Sequence, residues 1–131
     1  MKVRLRAGQR PVRVLIVDDD ARILETLDRW VDAQRDMSVV GQAGDGRTAL
    51  ALAKRLDPDV IVIDVKLPGL SGFEVIRRLR RSGLRMPVVV LSSDDRFEDE
   101  ATGLGAAFLA KGRAGGREVV AAIRGGSGAT G

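Results

Sequence analysis

Four groups in this 131-residue sequence have the type and spacing to do chemistry together. They are the carboxylate run Asp18-Asp19-Asp20, the single carboxylate Asp64, the hydroxyl of Ser92 and the ammonium of Lys111. Each follows a short apolar run, so each reads as the residue just past the end of a β-strand. In a parallel sheet those ends share one edge, where open α/β sheets bind ligands. Asp18, Asp19, Asp64, Ser92 and Lys111 would then converge. Clustered carboxylates repel one another, and a divalent cation relieves the repulsion. The chain has no His and no Cys, so its donors are hard oxygens, which suit Mg²⁺ rather than Zn²⁺. A Mg²⁺ with open positions beside a Lys stabilises a phosphoryl group in transfer. A carboxylate can itself be the nucleophile, giving an acyl phosphate.

The elements that must position these groups are visible in the hydrophobic pattern. Val60-Ile61-Val62-Ile63 is an unbroken β-branched run, the pattern of a strand covered on both faces of a parallel sheet. Residues 12–17, 37–43, 88–91 and 108–110 read as the other four strands. Helical spacing separates them. Ile23, Leu24, Leu27, Trp30 and Val31 share one helical face after Asp20, which suits an N-cap. Residues 47–56 form a second helix, stopped by Asp57-Pro58. Residues 72–81 form a third, with Phe73, Ile76 and Leu79 inward, and residues 116–124 a last one, with Val119, Val120 and Ile123 inward. Gly44-Asp45-Gly46 and Pro68-Gly69 read as turns. The stretch 96–105 is acidic and carries Gly103 and Gly105. Interior Gly costs about 1 kcal/mol against Ala, so the fourth helix is expected to be short or irregular. Five strand–helix alternations predict an α/β domain with a parallel sheet and helices on both faces.

Length and composition bound the rest. One domain is expected over residues 11–125, after a basic tail at 1–10 and before a Gly-rich end at 126–131 that reads as flexible or as the start of a linker. Hydrophobic residues are 44% and charged residues 31%, so the chain is globular. The net charge of +4 invites a nucleic-acid reading. With Trp30, Phe73, Phe97 and Phe108 the only aromatics, no stacking platform is evident, and solvated basic faces are the simpler account. No apolar run approaches the roughly 20 residues of a membrane span. The absence of Cys fits a reducing, cytoplasmic setting.

Four pieces of the chain carry a family resemblance. They are Val-Asp-Asp-Asp at 17–20, Ile-Asp-Val-Lys-Leu-Pro-Gly-Leu-Ser-Gly at 63–72, Val-Val-Val-Leu-Ser at 88–92, and Gly-Ala at 105–106 followed by Phe-Leu-Ala-Lys at 108–111. Over residues 12–124 the chain resembles the receiver domain of two-component response regulators. Its last helix resembles those with a helix-turn-helix DNA-binding output domain. The resemblance implies a flavodoxin-like, doubly wound, five-stranded sheet of order 2-1-3-4-5. It implies that Asp64 accepts a phosphoryl group from the phosphohistidine of a sensor histidine kinase. Asp18, Asp19, Asp64 and the backbone carbonyl of Lys66 would hold Mg²⁺. Ser92 and Lys111 would contact the phosphoryl oxygens, and Ser92 and Phe108 would move on activation. The domain would assist its own phosphorylation and dephosphorylation without turning over a free substrate. Homodimerisation is among the partnerships implied. Contact with DNA would come only through an output domain absent from this chain, and no membrane partner is implied.

The chain departs from the family at two points. The spacing from Ser92 to Lys111 is about three residues shorter than usual, nearly one helical turn, and the loss falls around the fourth helix. Gly112 follows Lys111, where many receivers have a Pro with a cis bond. Two further readings therefore stand beside the phosphorylation switch. One is a phosphorylation-independent receiver-like interaction module. The other is an aspartate-nucleophile phosphatase of the haloacid dehalogenase type, since 18–20 contains an Asp-x-Asp. Against the latter, Arg22 occupies the place of a small hydroxyl or aliphatic residue, and the chain lacks room for a cap domain.

Overall fold

The computed structural model describes residues 10–127. Strands β1 (Val12–Val17), β2 (Met37–Ala43), β3 (Val60–Ile63), β4 (Val88–Ser92) and β5 (Ala107–Ala110) alternate with helices α1 (Ala21–Asp32), α2 (Gly46–Leu56), α3 (Gly72–Arg81), α4 (Glu98–Gly103) and α5 (Gly116–Ser127). Every strand pairing is parallel, in the order β2-β1-β3-β4-β5. This is the expected doubly wound sheet.

The two-residue period of the central strands explains why both faces are covered. Leu15, Val17, Ile61, Ile63, Val88 and Val90 pack with Ala49 and Ala53 of α2, Phe73, Ile76 and Leu79 of α3, and Ala101 of α4. Their alternates, Val14, Ile16, Val60, Val62, Val89 and Leu91, pack with Leu27 and Val31 of α1 and Val119, Val120 and Ile123 of α5. Each such side chain contributes about 1.5–3 kcal/mol on burial, so three short strands anchor all five helices. The chain reverses direction across the sheet between β1 and β3. Ligands bind outside the carboxyl ends of strands at such a point.

Helix ends follow local chemistry. Asp20, Asp45 and Ser71 each accept a backbone N–H in the first turn of α1, α2 and α3, satisfying donors that would otherwise lack partners. Asp57 closes α2 in the left-handed region at φ 45°, and Pro58 prevents continuation.

Four boundaries differ from the sequence expectation: β4 extends through Ser92, β5 starts at Ala107, and two helices are longer than expected. Gly46 belongs to α2 rather than to a turn. Helix α5 continues through Gly125 and Gly126 to Ser127, three residues past its expected end. A Cβ on Gly126 would stand 3.1 Å from Pro87 Cβ, so the glycine fits α5 closely beside Pro87. The expected tail at 1–10 lies outside the described residues except for Arg10, and the expected Gly-rich end except for Gly126 and Ser127.

The fourth helix is short, as its composition requires. One 3₁₀ turn (Asp95–Phe97) leads into the six-residue α4, whose only buried residue is Ala101. Apolar anchorage is supplemented from outside. Phe97 stacks edge-on against Phe73 with ring centroids 5.6 Å apart, and Arg77 of α3 reaches Glu100 at 2.6 Å.

Candidate functional site

The sheet ladder carries two carboxylates just beyond the strand ends. The Asp18 N–H donates to the Ala43 carbonyl at 3.0 Å, and the Asp64 N–H donates to the Val17 carbonyl at 3.1 Å. Both acids are therefore set by backbone pairing rather than by free loops. Each is also oriented locally. Asp18 Oδ1 accepts the Asp20 N–H at 2.9 Å, and Asp64 Oδ1 accepts the Val65 N–H at 2.7 Å. The other oxygens share one cation: Lys111 Nζ lies 2.6 Å from Asp18 Oδ2 and 3.0 Å from Asp64 Oδ2. Lys111 is held in turn by its own N–H, which donates to the Ser92 carbonyl at 2.8 Å.

Asp18, Asp19 and Asp64 each place a carboxylate oxygen within 4.8 Å of the others. Asp18 and Asp64 are buried, whereas Asp19 faces solvent. Burial pushes the Asp18 carboxyl above its usual value, against the opposing hydrogen bonds from Lys111 and the Asp20 amide. For Lys111, burial disfavours the charge, but the Asp18 and Asp64 hydrogen bonds and charges outweigh it and its pKa is raised. One ammonium thus pairs with two of the three clustered acids. The negative excess and the oxygen-only donors fit a hard divalent cation such as Mg²⁺, and the exposed Asp19 leaves it a route from solvent.

The other candidates stand around this cluster. Ser92 is buried, and its hydroxyl oxygen accepts the Asp94 N–H at 3.2 Å. Lys66 lies in the loop after Asp64, and its ammonium turns to Asp94 at 3.8 Å and to the face of Phe97, 5.8 Å from the ring centroid. The Arg96 guanidinium hydrogen-bonds the Asp94 carboxylate and pulls its pKa down to about 2. Phe108 is half-buried on β5 against the core of the α2–α4 face.

Two kinds of residue escaped the sequence reading. Asp94 links the Ser92 hydroxyl to the Lys66 ammonium; its only sequence signal is a position two residues past Ser92. Gly46 and Gly72 touch the loop after β3. A Cβ on Gly72 would collide with the Asp64 carbonyl oxygen and stand 3.2 Å from Val65 Cα. A Cβ on Gly46 would collide with the Leu70 carbonyl oxygen and stand 2.6 Å from Leu70 Cβ.

Comparison with known proteins agrees with this geometry. Residues 14–123 match the response regulator receiver domain. The chain is 34% identical over 98 residues to the nitrate/nitrite response regulator protein NarL of Escherichia coli K12, covering 75% of this chain and 45% of NarL. It is 40% identical over 99 residues to the probable transcriptional regulatory protein TcrX of Mycobacterium tuberculosis, covering 76% of this chain and 42% of TcrX. The solved signal receiver domain of NarL from Mycobacterium tuberculosis superposes with a TM-score of 0.86 at 31% identity, covering 92% of this chain and 99% of that one. The chain spans about half the length of the curated relatives it matches. With the acidic pocket at the β1–β3 crevice and this match along nearly the whole described chain, the protein belongs to the response regulator receiver domains of two-component systems, signalling domains that bind Mg²⁺ and are phosphorylated by histidine kinases.

Proposed function

We propose that Asp64 is the phosphoacceptor of this receiver domain and that its phosphorylation switches a surface that includes Phe108. The observation that carries this reading is the cluster itself: three carboxylates within 4.8 Å, with Lys111 bridging Asp18 and Asp64. An Asp64 carboxylate oxygen attacks the phosphorus of the kinase's phosphohistidine. The P–N bond breaks, its electron pair returns to the imidazole, and an acyl phosphate forms on Asp64. Asp18, Asp19, Asp64 and the backbone carbonyl of Lys66 would hold Mg²⁺, which would supply the positive charge that phosphoryl oxygens require. Lys111 follows the phosphoryl oxygens. The Ser92 hydroxyl turns to donate to one of them, and Phe108 takes up the space vacated. The energy of the switch is the difference in these contacts between the two states.

On this reading the domain is not an enzyme acting on a free substrate. Its output lies in a further domain that controls transcription, and a second copy of this chain is a candidate partner. The test is intact mass after incubation with a small-molecule phosphodonor and Mg²⁺, beside Asp64→Asn. A gain of about 80 Da, one phosphoryl group, that is absent from the variant is expected. Label persisting in Asp64→Asn but lost in Asp18→Asn would favour the phosphatase-like chemistry instead.

The brevity of α4 favours one second reading, a phosphorylation-independent interaction module. It predicts Mg²⁺ binding with no change in assembly after phosphodonor treatment.

A further inference from the structure

The loop between β3 and α3 carries Lys66, whose carbonyl is the one proposed ligand that is not a side chain. Nothing in that loop's own sequence explains its placement, because residues 64–71 contain no regular hydrogen-bonded element. Two helix starts hold it. From α3, the Gly72 N–H donates to the Val65 carbonyl at 2.8 Å. From α2, the Gly46 N–H donates to the Pro68 carbonyl at 3.2 Å. The first N–H groups of a helix lack partners within it, and here the loop supplies one to each helix. Gly46 is buried, and the space its missing Cβ would take is filled by the Leu70 carbonyl and Cβ. The loop thus rests directly on the backbone of α2, which is locked by its own cap. Asp45 Oδ1 accepts the Thr48 N–H at 2.8 Å, and Asp45 Oδ2 accepts the Thr48 hydroxyl at 2.9 Å.

We infer that Gly46 is a positioning residue for the Mg²⁺ and phosphoryl site. It acts through the Pro68–Leu70 segment, which it holds in place and which leads back to the Lys66 carbonyl. The Asp45 cap keeps that support rigid. No other residue type leaves room for the loop, since any Cβ at 46 displaces Leu70 and with it the segment leading back to Lys66. The inference rests on the proposed ligand set and names the residue that sets the position of its backbone member.

The experiment is Mg²⁺ titration by calorimetry on the whole chain, together with the Mg²⁺ dependence of phosphodonor labelling, for Gly46→Ala, Asp45→Ala and Asp45→Asn. Outer-shell changes typically cost about 10–100-fold in metal affinity. Gly46→Ala is therefore expected to weaken Mg²⁺ binding about tenfold or more. Labelling should recover toward the wild-type rate when Mg²⁺ is raised to saturation. Asp45→Ala loosens the cap and is expected to weaken binding severalfold. Asp45→Asn, which removes the charge but keeps a capping oxygen, should stay near wild type and so separates position from electrostatics. A merely structural role would lower the melting temperature of Gly46→Ala without moving the Mg²⁺ dependence, and that result overturns the inference. Should Gly46→Ala fail to fold, the Asp45 pair decides: equal affinities for Asp45→Ala and the wild type overturn it. Failure of the phosphoacceptor reading is distinguishable, because it would appear as an unlabelled wild-type chain.

Discussion

At the scale of single residues, the site holds a stored repulsion. Asp18 and Asp64 share Lys111, while Asp19 adds a third negative charge with no ion-pair or hydrogen-bond partner among the described residues. Like charges at this separation disfavour the cation-free fold. Asp19→Asn is therefore expected to raise stability without Mg²⁺ by about 0.5–1 kcal/mol, a typical gain when a functional site is relaxed. It should also abolish most of the melting-temperature increase that Mg²⁺ gives the wild type by mass action. Thermal melts with and without Mg²⁺ measure both; a variant less stable than wild type in metal-free buffer would contradict the argument. Asp18, Asp19, Asp64, Ser92 and Lys111 were legible from sequence because each ends an apolar strand, and strand ends are the one place where sequence order fixes spatial proximity. Asp94 and Gly46 were not. Asp94 matters through its contact with Ser92 and Lys66, and Gly46 through a side chain it lacks. Neither property has a local pattern.

At the scale of elements, the strands and the inward faces of α1, α2, α3 and α5 follow from periodicity, and the structure places them within a few residues of expectation. The ends of α2 and α5 were misread for one reason: glycine breaks a helix by default, yet Gly46 and Gly126 remain helical because they touch other parts of the chain. The Leu70 loop and Pro87 decide those boundaries, and both are distant in sequence. Helix α4 is the reverse case, where local weakness prevails. Six residues with only Ala101 buried cannot sustain a helix by packing, and its outer contact, Arg77–Glu100, joins side chains that are 39% and 45% exposed, where ion pairs contribute little. Its amides are expected to exchange with solvent faster than those of α3, through local opening. Gly103 is a direct handle: a Cβ there meets nothing within 4 Å, and its φ is not positive. Gly103→Ala should stabilise by about 0.5–1 kcal/mol and slow exchange in α4. Unchanged exchange there, with a higher melting temperature, would locate the gain outside α4.

At the scale of the whole molecule, the face opposite α4 is closed by one long-range clamp. Asp36, in the connection between α1 and β2, accepts two hydrogen bonds from Arg124 of α5, at 2.7 and 2.8 Å, across 88 residues. Arg124 also donates to Gln34 at 3.0 Å. Asp36 is buried, and the Arg124 hydrogen bonds hold its carboxyl below the usual value against the opposing effect of burial. The folded state therefore binds the Asp36 proton less readily than the unfolded chain does. Its contribution to stability is complete above the unfolded carboxylate pKa and is lost as pH falls through the lower folded value. Hydrogen bonds to charged groups contribute about 1.5–3 kcal/mol, so Asp36→Asn is expected to cost about 2 kcal/mol near neutral pH. The gap between wild type and variant should hold down to about pH 4, the unfolded carboxylate value, and narrow as pH falls below it toward the lower folded value. A gap that is constant over that range would assign the cost to packing rather than to charge. The clamp ties the end of α5 to the connection after α1. Asp36→Asn should therefore loosen the end of α5 while leaving labelling of Asp64 at the wild-type rate, a separation that amide exchange at residues 120–127 beside intact-mass labelling would measure directly.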